Sequence, residues 1–445
     1  MSAKPAIRFA NKDKNRPTKG CPMFRYQQLA AAIAIGTLSG LAQAESTLEE
    51  RLAAAENRLA SLEKENTVED RVQINGFMTF AMEKTSSVQD ASGNNLYFQN
   101  EVGNDDWNLN RLTRAGIQLN GKISDKAEAV VQILGRADDN FDAQIKWAYV
   151  GYDINNSLTA RAGRLMLPFY LHSQYTQVGY AYPWIELPTE MYAVIPLDTM
   201  EGVDLTWNVS TGKIAHSINV FWGGMDVDSQ GALFEVRDQH GINLRSNLGN
   251  WTAWYSYTNS QVSVDVSPNV PVPPFPLALQ NNLNMDHHYA YFTGLGLQYD
   301  NGSLFVMAER GRLDLSTPAH WFPTLDSGYV TAGYRIGKFT PHVTWAGIEH
   351  SDIADVNTAN PLAPVALGLF QTFGDHQKSW TFGSRYDLTP GISLKAEVTY
   401  AYDFSGDDYK SNGFFSDPTN PANLAGPDTR DDDPMIYRLA VETVF

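Results

Sequence analysis

From Val72 to the C-terminus, apolar and polar positions alternate with a period of two. Val72, Ile74, Gly76, Met78, Phe80 and Met82 interleave with Gln73, Asn75, Phe77, Thr79, Ala81 and Glu83. Later, Ile392, Leu394, Ala396, Val398, Tyr400 and Tyr402 interleave with Ser393, Lys395, Glu397, Thr399 and Ala401. Side chains on a strand point to opposite faces in turn, so each such run has one apolar and one wet face. The pattern predicts sixteen strands, at 72–84, 109–122, 126–137, 143–154, 157–167, 199–209, 213–224, 237–248, 251–260, 289–300, 302–313, 327–337, 338–349, 376–388, 391–403 and 434–445. Fourteen or eighteen fit if the boundaries move. Each strand is close to the ten or so residues that a tilted membrane-crossing strand needs.

The connections sharpen this picture. Short links (Ser124-Asp125, Asn155-Asn156, Gly212, Gly249-Asn250, Asn301, Gly337-Lys338, Pro390) alternate with long ones at 85–108, 168–198, 225–236, 261–288, 314–326, 350–375 and 404–433; 138–142 is both external and brief. Tight periplasmic turns and long outer loops are the habit of an up-and-down transmembrane barrel. The chain also ends on Phe445, on the apolar face of its last strand, as a barrel strand does at a membrane interface. The expected class is all-β: an antiparallel transmembrane β-barrel of about 16 strands over 71–445. A soluble sandwich or propeller would also alternate, but would not need the export signal and the loop asymmetry together.

Ahead of the barrel the period changes. Leu48, Leu52, Ala55, Leu59, Leu62 and Asn66 are spaced 4-3-4-3-4, one narrow seam on a helix. Residues 45–70 are therefore expected to form a periplasmic coiled-coil stalk, or else a solvated charged linker. Seven basic residues (Lys4, Arg8, Lys12, Lys14, Arg16, Lys19, Arg25) precede the apolar run Leu29 to Ile35 and the end Ala42-Gln43-Ala44. This is the three-part order of a signal peptide over 1–44, with translation starting at Met1 or at Met23.

Composition adds exclusions. The 445 residues hold 33 Lys+Arg against 50 Asp+Glu, a formal net charge of -17, which disfavours nucleic acid as a partner. The single cysteine, Cys21, falls within the expected signal, so no disulfide is expected in the exported chain. The nine histidines show no metal-ligand spacing, and no nucleophile motif or phosphate-cradling glycine loop occurs. Neither catalysis nor a cofactor is expected. Acidic residues crowd the outer loops, among them Asp105, Asp106, Asp138, Asp139, Asp142, Asp403, Asp407, Asp408, Asp417, Asp428 and Asp431 to Asp433.

Candidate chemistry lies on the wet face. If Ile117 and Leu119 face lipid, Arg114, Gln118 and Asn120 face the lumen, and the same parity turns Arg136, Lys146, Arg237, Arg245, Arg335, Arg385, Lys395 and Arg438 inward. Inward acids are fewer: Glu83, Glu128, Glu397 and Glu442. Arg114, Arg136, Arg385, Lys395 and Arg438 lie on strands 2, 3, 14, 15 and 16, neighbours once the barrel closes, and form a basic stripe. Arg161 and Arg164 precede the loop at 168–198; their odd separation puts one inward and one outward unless a bulge intervenes. That loop carries Phe169, Tyr170, Tyr175, Tyr180, Tyr182, Trp184 and Tyr192, four prolines, and the acids Glu186, Glu190 and Asp198. It either folds into the lumen as a constriction facing the basic stripe, or caps the rim or a neighbouring subunit.

The seam Leu48–Asn66, the segment Arg161-Ala162-Gly163-Arg164-Leu165-Met166-Leu167-Pro168-Phe169 and the stretch Pro183-Trp184 through Met191-Tyr192 resemble the DcaP-like porins of the Gram-negative outer membrane. The resemblance implies a trimeric sixteen-stranded barrel behind a short coiled coil. It also implies passive uptake of small organic anions such as dicarboxylates, with arginines at the constriction; Arg161 and Arg164 alone fall in a matched motif. The expected site is thus Arg114, Arg136, Arg161, Arg164, Arg385, Lys395, Arg438, Glu186 and Glu190, with small organic anions, outer-membrane lipid and two further copies of the chain as partners. The alternatives are a channel for hydrophobic or aromatic nutrients using the loop aromatics, a barrel hydrolase, and a structural tether.

Overall fold

The structure, a computed structural model, describes residues 71–445 apart from 90–92, 100, 104–105, 196, 230–231, 266–284, 317–321, 351–375, 405–412 and 417–432. The chain divides into two units, Met1–Asn66 and Thr67–Phe445. The expected export signal and stalk lie outside the described residues, as do Asp105, Asp407, Asp408, Asp417, Asp428, Asp431 and Asp432.

Sixteen antiparallel strands close into one barrel. They are β1 (Val72–Thr85), β2 (Arg114–Ser124), β3 (Ala127–Arg136), β4 (Gln144–Asn155), β5 (Leu158–Met166), β6 (Thr199–Thr211), β7 (Ile214–Ser229), β8 (Ala232–Leu248), β9 (Trp251–Asp265), β10 (Met285–Asp300), β11 (Leu304–Leu315), β12 (Leu325–Tyr334), β13 (Phe339–His350), β14 (Gln377–Thr389), β15 (Ile392–Tyr402) and β16 (Met435–Val444). Each strand pairs with its neighbours in sequence, and β1 closes on β16 with Glu83 opposite Arg438. Closure leaves no free edge, which a sheet in hydrocarbon cannot have.

Alternation in the sequence becomes inside and outside. Along β1, Phe77, Thr79, Ala81 and Glu83 are buried, whereas Ile74, Met78 and Phe80 are 62%, 47% and 47% exposed on the wall. Two-residue hairpins need left-handed backbone, and Gly212 and Gly249 supply it at φ 63° and 57°. At the C-terminus, Phe445 exchanges backbone bonds of 2.8 and 3.0 Å with Gly76, and its ring lies where a Cβ on that glycine would be.

Two expectations need correction. The long outer link at 225–236 shrinks, because β7 runs to Ser229 and β8 starts at Ala232. The second strand begins at Arg114 and not at 109: Asn108 Oδ1 accepts the backbone N–H groups of Asn110 and Arg111, making a turn that swings Arg111 into the barrel mouth. Beyond β1 and β15, the outer segments meet in a short pairing of Tyr97–Phe98 with Phe415–Ser416. Val88, Leu96, Phe98, Val102, Ala401, Phe415 and Ile436 form a small apolar core beside it.

Candidate functional site

The segment after β5 runs inside the barrel. Its Trp184 is 1% exposed, donates from Nε1 to Thr344 of β13 at 2.8 Å, and meets Tyr329 of β12 edge-on at 5.6 Å. Phe169 and Tyr170 pack edge-on against Phe292 of β10. A helical turn, Thr189–Tyr192, lies against β11, β12 and β13. On this side the segment is held by apolar area and by Glu309, whose carboxylate accepts from Leu171 N, Tyr192 Oη and Tyr329 Oη at 2.7, 2.8 and 3.2 Å.

The opposite side is held by charge. Lys395 Nζ donates to the carbonyls of Gly179, Tyr182 and Trp184 at 2.8, 2.7 and 2.6 Å and pairs with Glu442 at 2.5 Å, both side chains fully buried. Gly179 leaves room for this pair: a Cβ there would sit 2.1 Å from the Glu442 carboxylate and displace that side chain. Arg385 donates to Tyr180 O at 2.5 Å, stacks on the Tyr180 ring and pairs with Asp387 at 2.8 Å. Glu397 accepts Ile185 N at 2.8 Å.

Four buried charges close the network. Arg111 binds Glu83 at 2.5 Å and Glu186 at 2.7 Å, while Arg438 binds the same two acids at 3.2 and 2.7 Å. Both guanidinium groups also lie over the Phe98 ring, at 5.2 and 5.5 Å. Burial by itself would raise the Glu186 carboxyl, but Arg111 and then Arg438 outweigh it and hold the group below the usual carboxylate range. Glu190 is the opposite case: it is 3% exposed with Gln377 donating at 2.7 Å, and burial pushes its carboxyl up. A raised carboxyl costs stability once pH climbs past its unfolded value and the group must ionise in place. Glu190→Gln keeps the Oε1 acceptor and removes the charge, so its thermal midpoint at pH 7 should exceed wild type; a lower midpoint in a calorimetric scan would show that partners hold the carboxylate ionised.

Two cavities flank the segment. The outer one, of about 670 Å³, is lined by Arg111, Arg114, Arg136, Lys146, Glu101, Asp138 and Asp198 among others. The inner one, of about 300 Å³, is lined by Arg335, Arg385, Asp300 and Asp387 with His172, Tyr175 and Pro183. Tyr182 borders both. Burial lifts its hydroxyl to about 12, so it stays protonated, donating to Thr176 O at 3.0 Å and accepting from Arg114 at 2.9 Å.

The structure thus gathers Arg114, Arg136, Arg385, Lys395 and Arg438 on one wall. Arg114 is the cross-strand partner of Arg136, and Arg385 of Lys395. Arg161 faces inward on Asp204 at 3.0 Å and over the Tyr149 ring. Arg164 does not join them: it pairs on the outer face with Glu201, two positions from the exposed Val203. Arg237 is also outside, contrary to its expected inward place. A bulge with Asp238 at φ 47° shifts the parity, burying Val236 and Gln239 and leaving Arg237 on Asp226. Arg111, the centre of the network, has no place in the sequence-based list, although the Asn108-x-Asn110 turn marks where the second strand cannot yet have begun.

With this geometry the comparisons agree. A family model described as Gram-negative porin matches residues 30–408. The chain belongs to the Gram-negative porin family. It is therefore a passive β-barrel channel of the outer membrane. No curated protein sequence matches it. Among solved structures, it is similar to the DcaP outer membrane channel of Acinetobacter baumannii (11% identity over 84% of this chain and 97% of that one, TM-score 0.51). It is also similar to an anion-selective porin from Comamonas acidovorans (11%, 84% and 99%, TM-score 0.50) and to a loop-deletion mutant of Vibrio cholerae OmpT (11%, 84% and 100%, TM-score 0.52). At these identities the likeness is one of fold.

Proposed function

We propose that this porin passes small organic anions of dicarboxylate-like size, without catalysis, and that it selects them at Arg114 and Arg136. Most of the basic stripe is spent. Lys395 answers Glu442, Arg438 answers Glu83 and Glu186, Arg161 answers Asp204, and Arg385 answers Asp387. Arg114 and Arg136 differ. They are direct cross-strand partners lining the outer cavity; Arg114 donates to Gln177 O and the Tyr182 hydroxyl, both neutral, at 2.9 Å, and among the described residues neither arginine has a carboxylate within 4.0 Å. Two neighbouring like charges repel, and a permeating carboxylate relieves both at once. This pair carries the reading.

The hydrophobic-solute alternative loses support because the loop aromatics are consumed in packing. Phe169, Tyr170, Tyr182 and Trp184 are each 7% exposed or less. The narrow seam at 48–66 and the strict porin layout support assembly as a homotrimer behind a periplasmic stalk, with residues 1–44 removed on export.

The test is a reversal potential across a salt gradient in a planar bilayer. Wild type should be anion-selective, and Arg114→Gln with Arg136→Gln should cut the anion-to-cation permeability ratio roughly tenfold, as removal of two positive charges from a cavity that also holds Glu101, Asp138 and Asp198 implies. Cation selectivity in wild type would sink the proposal, as would faster passage of neutral aromatics than of carboxylates.

A further inference from the structure

We propose that the inner cavity is a second subsite of the channel, one that takes a neutral polyhydroxylated solute of monosaccharide size. It is independent of the anion reading, since neither Arg114 nor Arg136 lines it. Asp300 closes β10, Arg335 follows β12 and Asp387 lies near the end of β14. The cavity is therefore beside the short connections, which face the periplasm in an up-and-down outer-membrane barrel. At about 300 Å³ it is at the small end of ligand pockets.

Its charges cancel. Arg335 donates to Asp300 through two bonds of 2.7 and 2.8 Å, and Arg385 pairs with Asp387 at 2.8 Å, so the lining sets two cations against two acids. No surplus charge is left to select an ion. A zwitterion would have to part both ion pairs to use them. A hydroxyl need not. It donates to a lone pair that the carboxylate still has, and it accepts an N–H that the guanidinium still has, since Arg335 spends on Asp300 only part of its set of donors. Arg335 and Asp387 are 40% and 41% exposed, so a solute reaches both pairs.

The neutral lining points the same way. His172 of the lumenal segment is 3% exposed and lines the cavity; its Nδ1 lies 2.7 Å from Tyr175 Oη, and its Nε2 has no hydrogen-bond partner. Burial, and behind it Arg245, hold the imidazole down at about 3, so the ring is neutral and offers one donor and one acceptor. Whichever of these Tyr175 takes, the other is left at Nε2. A hydroxyl answers either one, whereas a carboxylate answers only an N–H and an apolar solute answers neither. Gln298 and Thr340 add an amide and a hydroxyl to the lining. Phe305, Met307 and Pro183 supply apolar surface for the C–H faces of a sugar ring.

The experiment titrates the single-channel conductance of the full-length protein in a planar bilayer with D-glucose, with L-alanine as a zwitterion, and with a polyethylene glycol of similar mass as a size control. Glucose should lower the wild-type conductance saturably, beyond what the glycol does through viscosity. R335M/D300N removes one pair without stranding a charge and keeps an acceptor for the Gly302 N–H that Asp300 now holds at 2.9 Å. It should raise the half-saturating glucose concentration about tenfold. Thr340→Val keeps the shape and every charge, and should raise it about threefold. The thermal midpoint of each variant checks that it is folded. Arg114→Gln with Arg136→Gln should leave glucose binding unchanged, so failure of the anion reading and failure of this subsite are read separately. A shift in that variant would put the sugar in the outer cavity and overturn the inference. Equal, unsaturating reductions by glucose and the glycol overturn it, as does an unshifted half-saturation in both inner-cavity variants. Saturable reduction by alanine and not by glucose overturns it too, and makes the cavity a seat for zwitterions.

Discussion

Lys395→Met should loosen the lumenal segment and lower stability by roughly 3–5 kcal/mol, the range for removing one member of a buried ion pair. The ammonium has three N–H donors and faces four acceptors: the carbonyls of Gly179, Tyr182 and Trp184, and the Glu442 carboxylate. Methionine fills similar space but leaves Glu442 charged, wholly buried and unanswered. The barrel ladders do not pass through this contact, so the sheet should still close. The segment between Gly179 and Trp184 should lift from the wall, giving larger and noisier single-channel steps. A second substitution separates charge from tethering: K395M/E442M removes the stranded carboxylate and should recover most of the thermal midpoint while keeping the larger conductance. Wild-type conductance and midpoint in K395M would mean that the aromatic side alone holds the segment.

The strands were readable because each is sorted twice, by lipid outside and by water or loop inside, so period two survives along most of the chain. It fails where that sorting stops. On β7 and β8 the outer ends carry Asp226, Glu235, Arg237 and Asp238 in close succession, and the backbone pairing continues there from Met225–Val236 to Ser229–Ala232. The parity of Arg237 is lost to a bulge, a local backbone event with no hydrophobic signature. The basic wall was readable by parity, since Arg114, Arg136, Arg385, Lys395 and Arg438 need only their own strands to place them. What the charges are doing was not. Their parity offers them to a solute, whereas four of the five bind the backbone of the lumenal segment or its acids (Arg114 at Gln177 O, Arg385 at Tyr180 O, Lys395 at Gly179 O and Arg438 at Glu186), and Arg438 and Arg111 divide Glu83 and Glu186 between them. Those partners are brought together by tertiary folding, from 28 residues apart for Arg111 and Glu83 to 355 for Arg438 and Glu83, which no local pattern encodes. Arg114 and Arg136 stand out only once the others have been matched.

Glu186→Gln should cost about 3 kcal/mol and free the middle of the lumenal segment, with a pH signature that identifies the cause. Glu186 and Glu83 balance Arg111 and Arg438 in a buried square, so neutralising Glu186 leaves one uncompensated positive charge among side chains 8%, 5% and 1% exposed. Glutamine keeps the shape and one acceptor oxygen, so the loss is chiefly electrostatic. In the folded chain the Glu186 carboxyl lies below its ordinary value of 4.5, burial being outweighed by Arg111 and then Arg438. A carboxyl depressed in this way adds stability that is fully present above the unfolded value and is lost as pH falls through the folded one. The difference in thermal midpoint between wild type and E186Q should thus stay constant from about pH 8 to about pH 5, and narrow only in stronger acid as wild type takes up the proton. The segment should accordingly remain latched through mild acidity. A difference that instead closes between about pH 8 and pH 6 would show desolvation winning over the two arginines, and the square would then be a strained contact and not the latch.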